Sequence, residues 1–130
     1  MLVREFIELS NQKLVDYIKE RILLDPLIPD LGPGNTEKFL GIETAGLYNR
    51  YDHRLLLKRS QRHFVCGFSL RKVYINRETN AISCTISICT CAFMPLGYIL
   101  VSGDSISIYD FAGNNYPSLH DLVYEDKRFS

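Results

Sequence analysis

The short motifs that announce most enzyme chemistries are missing from this chain. There is no nucleophile elbow, phosphate-binding Walker loop, zinc-protease pair or dinucleotide fingerprint. Gly32-Pro33-Gly34 has neither the lysine nor the helix that a phosphate loop needs, and Val101-Ser102-Gly103-Asp104-Ser105 reads as a hairpin turn. The expectation is a protein without catalysis and without a cofactor. Long apolar runs are missing too. A membrane helix takes roughly 18 to 20 apolar residues, and the longest candidate, residues 86–100, is interrupted by threonines, Pro95 and Gly97. The opening residues set Arg4 beside Glu5 instead of a basic stretch followed by an apolar one. Without that secretory order the expected compartment is the cytoplasm, with no membrane partner. Net charge is the third absence: 15 Lys and Arg balance 15 Asp and Glu, with a pI of about 6.8. That balance argues against strong nonspecific binding to DNA.

What is present is core material. Hydrophobic residues make up 46% of the 130 positions, with eight tyrosines and seven phenylalanines. This is the composition of a folded globular chain, and the length suits a single domain, 1–130. The four cysteines, Cys66, Cys84, Cys89 and Cys91, all fall in strand-like segments. A reduced cysteine packs as a small apolar residue, so buried or half-buried thiols are expected ahead of two bridges. Cys89-Thr90-Cys91, even with Cys66 and His63, does not make a zinc site. Structural zinc pairs sit on turns with two or more residues between them, and no metal is expected.

Residues 3–24 read as one amphipathic helix, because Phe6, Leu9 or Ser10, Leu14, Tyr17 or Ile18, and Ile22 recur at helical spacing. It should stop at Asp25, since Pro26 disfavours helical geometry in the residue before it. Pro26, Pro29 and Gly32-Pro33-Gly34 then make a stiff connector. Asn35 or Thr36 offers an N-cap for a shorter helix over about 36–49, weakened by Gly41 and Gly46.

From His63 the period changes to two. Residues 63–76 and 81–93 are rich in Phe, Val, Ile, Tyr and Thr and form a long hairpin. Phe64, Cys66, Phe68, Leu70 and Tyr74 on the first strand, and Ile82, Cys84, Ile86, Ile88 and Ala92 on the second, are the even, mostly apolar positions. They share a face only when paired residue numbers sum to an even value, which a three-residue loop Glu78-Thr79-Asn80 with left-handed Asn80 would deliver. The odd face then carries Ser83, Thr85, Ser87 and Cys89 across from Ser69, Arg71 and Val73. It is polar, almost uncharged, and suited either to water or to a partner. Two further strands, 98–102 and 105–111, join through Gly103-Asp104, and Leu119, Leu122 and Val123 give a short C-terminal helix its apolar side. The expected fold is α+β: an N-terminal helix and a second short helix on one face of a four-stranded antiparallel meander, closed by the C-terminal helix.

Charge is sorted along the chain. Between residues 50 and 63, Arg50, Arg54, Lys58, Arg59 and Arg62 face the single acid Asp52, with Tyr48 and Tyr51 nearby. Arginines there suit paired hydrogen bonds to carboxylates or phosphates, and the tyrosines suit stacking on bases. The leading expectation is a small interaction protein of the phage-antagonist or immunity type, inhibiting or neutralising an acidic macromolecule through this run. Nucleic-acid binding by the same residues is the alternative. A metal-dependent enzyme built on Asp110, His120 and Glu125 is a weaker third reading, since His120-Asp121 beside Ser118 and the terminal Glu125-Asp126-Lys127 are local segments and not a convergent site. Self-association through a sheet face or edge is open.

Overall fold

In the computed structural model, the described residues are 1–25, 39–42, 48–49, 64–90 and 95–125; for 48, 49, 64–66, 90, 124 and 125 the description extends to the backbone only. The elements run α1 (Val3–Ile7), α2 (Asn11–Leu24), β1 (Tyr48–Asn49), β2 (Phe64–Asn76), β3 (Ala81–Thr90), β4 (Pro95–Ser102), β5 (Ser105–Asp110), β6 (Asn115–Tyr116) and α3 (Leu119–Glu125). The strands form one antiparallel sheet in chain order, a meander whose four long strands are flanked by two of two residues each. The α+β reading holds. The strand count differs, because pairing at both edges creates short strands that have no periodicity of their own.

The expected single N-terminal helix is two. It breaks at Glu8 and Leu9, and Ser10 restarts it as an N-cap, its hydroxyl accepting from the Lys13 N–H at 3.4 Å. The apolar spacing runs through the break unchanged, which is why periodicity alone missed it. Phe6, Leu14, Ile18 and Ile22 are buried as expected, joined by Val3, Ile7 and Val15. Helix α2 ends at an extended Asp25 before Pro26.

The second helix, expected over 36–49, also differs. Phe39 and Leu40 are helical, but Tyr48 and Asn49 are extended and pair with Val65 and Phe64 of β2. Hydrogen bonding to a neighbouring strand decides those two residues, not local propensity. The Pro26 to Gly34 connector lies outside the described residues.

The β2–β3 hairpin reaches even register by an unexpected route. Asn76 pairs with Ala81, so the turn is the four residues Arg77-Glu78-Thr79-Asn80, with Asn80 left-handed at φ 58°. Asn76 Oδ1 holds the turn by accepting from the N–H groups of Glu78 at 3.0 Å and Thr79 at 3.3 Å. Near the turn the pairs sum to an odd number. A β-bulge between Arg71 and Tyr74, with Lys72 left-handed at φ 52°, then shifts the ladder by one residue so that Leu70 meets Ile86 and Phe68 meets Ile88. Two side chains consequently swap faces. Tyr74, expected in the core, is 73% exposed, and Val73, expected outside, packs against the core with Ile75. The β4–β5 hairpin turns through Gly103-Asp104 without a register shift.

The described helices α1, α2 and α3 cover one face of the sheet. Phe6 of α1 meets Phe68 edge to face at 4.9 Å, and α3 packs against α1, β5 and β6. Inner rows run Leu70–Ile86–Ile99–Ile108 and Phe68–Ile88–Gly97–Asp110 across the strands. Gly97 gives Leu122 of α3 its room: a Cβ there would lie 2.2 Å from the Tyr109 carbonyl oxygen and 3.0 Å from the Leu122 methyl. Lys19 of α2 also reaches Asp104 in the β4–β5 turn at 3.1 Å.

Candidate functional site

The sheet face opposite the helices is uncovered by any described element. Alternation along each strand supplies it: where Ile99 and Val101 turn inward, Tyr98 and Leu100 turn out, and where Ile86 and Ile88 turn inward, Thr85 and Ser87 turn out. Register aligns them in two rows, Ser69–Ser87–Tyr98–Tyr109 and Arg71–Thr85–Leu100–Ser107. The rings of Tyr98 and Tyr109 stack across β4 and β5 with centroids 5.4 Å apart and an interplanar angle of 26°. Arg71, Lys72, Thr85, Ser87, Tyr98 and Leu100 line a cavity of about 360 Å³.

Among the described strand residues, this face carries charge of one sign. Arg71 and Lys72 are exposed, and the only acid on the described strands, Asp110, is on the inner face. Asp110 is 1% exposed and serves its own loop. Its Oδ1 accepts from the Asn114 N–H at 2.9 Å, and its Oδ2 accepts from the Asn114 amide at 2.9 Å and from the Tyr116 hydroxyl at 3.2 Å. Burial pushes the carboxyl group up, but these bonds together with one from Ala112 outweigh it and hold the group below its usual range.

That engagement bears on the metal reading. Asp110 closes a β-turn loop, His120 lies on α3 at 3.7 Å from Glu8 and 3.6 Å from Asp121, and the Glu125 side chain is outside the described residues. Among the described residues no three His, Cys, Asp or Glu side chains are grouped to hold a metal ion. Cys84 and Cys89 are thiols and not halves of a disulfide; burial pushes the Cys84 thiol up to about 12, which makes it inert as a nucleophile at neutral pH. Cys91 and the side chain of Cys66 fall outside the described residues.

Of the basic-run residues, Arg50, Tyr51, Arg54, Lys58, Arg59 and Arg62 lie outside the described residues, and Tyr48 is described by its backbone in β1. The residues that bracket the run, Asn49 and Phe64, are direct partners at the sheet edge. On the open face, Ser69, Arg71, Thr85 and Ser87 were legible from alternation. Tyr98, Leu100, Ser107 and Tyr109 belong to it as well, and the same alternation carried through the last two strands would have found them. Lys72 left no local signal, because lysine has no preference for left-handed backbone.

Among the described residues no helix is long and apolar enough to cross a membrane. Compared with known protein families, with curated proteins and with solved structures, the chain matches none.

Proposed function

We propose that the protein is a non-catalytic interaction module that binds, and by covering it inhibits or neutralises, a macromolecular partner with an acidic surface. One observation carries the reading: the described helices cover one sheet face, while the other offers Arg71 and Lys72 with no carboxylate from the described strands beside them. A one-signed face favours partners of the opposite sign and speeds their encounter. We extend the contact to Arg50, Arg54, Lys58, Arg59 and Arg62, with Tyr48 and Tyr51, because the sequence between residues 49 and 64 starts and ends at Asn49 and Phe64, which pair at the sheet edge. The test is recovery of the partner from the native host with the wild-type protein, repeated with Arg71→Glu/Lys72→Glu and with the five cations of the run reversed. An acidic partner lost on reversal supports the reading. A partner retained by both reversed proteins sinks it.

Nucleic acid is the second reading, favoured by the Tyr98–Tyr109 stack beside two cations, a combination suited to single strands. It predicts salt-sensitive binding of single-stranded RNA or DNA, weakened by Tyr98→Ala. Fluorescence polarisation with no response at about 10 μM protein removes it.

A further inference from the structure

Strand β3 differs from its neighbours in what it sends to the open face. It contributes only short side chains, Ser83, Thr85, Ser87 and Cys89, whereas β2 contributes Arg71 and Lys72 and β4 contributes Tyr98 and Leu100. Neighbouring strands lie roughly 4.8 Å apart, so the two walls stand about 10 Å from each other over a low floor. The result is the cavity of about 360 Å³. Small-molecule sites run from about 300 Å³ upward.

The lining divides by chemistry: cations on one wall, an aromatic ring and a leucine on the other, hydroxyls beneath. Tyr109 stacks on Tyr98 from the β5 side, so the opposite ring face is the one turned toward the cavity. The bulge adds a second, independent observation. Consecutive strand residues point to opposite faces, yet Arg71 and Lys72 line the same cavity because Lys72 adopts a left-handed backbone. Such a conformation in a residue other than glycine is strained, and strain of this kind collects at binding sites.

The geometry points to a binding site for a small aromatic anion: a planar ring carrying a phosphate or carboxylate, the ring against Tyr98 and Leu100, the anion between Arg71 and Lys72, the hydroxyls of Thr85 and Ser87 beneath. The site goes beyond the acidic-partner reading and stands whether or not a macromolecule covers the rest of the face. Its ligand is free in solution. Phenyl phosphate titrated into isotopically labelled protein serves as the probe. The expected result is saturable shifts of the Arg71, Lys72, Thr85, Ser87 and Tyr98 amides, with phenol and inorganic phosphate, each half of the probe, binding about tenfold or more weakly. Arg71→Met, which removes the charge, and Ser87→Phe, which fills the cavity, should each weaken binding by about tenfold while the remaining spectrum stays folded. Absence of saturable shifts at about 10 mM probe, phenol binding as well as phenyl phosphate, or Ser87→Phe leaving affinity unchanged overturns the site. A phosphotyrosine peptide binding more than about tenfold tighter than phenyl phosphate overturns the free-ligand assignment in favour of a partner's side chain. Ser87→Phe leaves both cations of the face in place, so a variant that loses the probe and keeps a captured partner shows that the site and the partner reading stand or fall separately.

Discussion

The same four long strands build both faces of the sheet, and the two faces obey different rules. Inside, Phe68, Ile86, Ile88 and Ile99 are fully buried in the core that the sheet shares with the helices. Outside, serine, threonine, tyrosine and two cations stand where nothing described covers them. Inner residues are held by close packing that a single methylene disturbs. Outer residues owe the fold little beyond alternation, so they are available for binding chemistry.

Four substitutions test that contrast. The largest effect belongs to the inner face: Phe68→Ala removes a fully buried ring in contact with Phe6 and should cost about 3 to 5 kcal/mol in denaturant unfolding. The outer-face control, Tyr98→Ala, loses a stacking contact and should cost about 1 kcal/mol. Equal costs would erase the distinction between the faces. Asp110→Asn comes next, at about 1 to 3 kcal/mol near neutral pH, because it neutralises the carboxylate and puts an NH2 donor where one of its two oxygens accepts from Asn114 or from Asn114 and Tyr116. The folded carboxyl group sits below its ordinary value, so its stabilisation is fully present above the unfolded value near about 4 and is lost as pH falls through the lower folded value. Acid unfolding followed by circular dichroism should therefore show a shallower acid limb in Asp110→Asn than in the wild type. The smallest effect has the opposite sign. Lys72→Gly relieves a left-handed lysine at φ 52° and should raise stability by about 0.5 kcal/mol in thermal unfolding. It should also weaken phenyl phosphate binding, because the Lys72 ammonium is lost from the cavity wall.

Much of the α+β layout was legible because it rests on repeating patterns. Ile82, Cys84, Ile86 and Ile88 alternate, and all four are buried. Leu119, Leu122 and Val123 mark the apolar side of α3, which Ser118 caps by accepting from the Asp121 N–H at 3.1 Å. Asn80 was expected to be left-handed and is. Illegible features share one character: each is a pairing decision made by a distant segment. Tyr48 and Asn49 become a strand only because Val65 and Phe64 offer hydrogen bonds. The helix break at Leu9 is invisible to a periodicity that continues across it. The candidate site was half readable, since the polar odd face of β3 was visible as a face, but not the cavity that its small residues form between larger neighbours.

Local order along the chain determined most of the helical and extended segments and, away from the Lys72 bulge, which side of each long strand is apolar, because backbone propensity and side-chain alternation act over a few residues. Only the tertiary structure decided the register. A four-residue turn left the hairpin out of phase, and the burial of Phe68 and Leu70 in the core favoured a bulge at Lys72 over a polar core. That correction brought Arg71 and Lys72 to one cavity. No nearest-neighbour pattern encodes it, since the free energy that selects it is the burial of side chains far away in sequence.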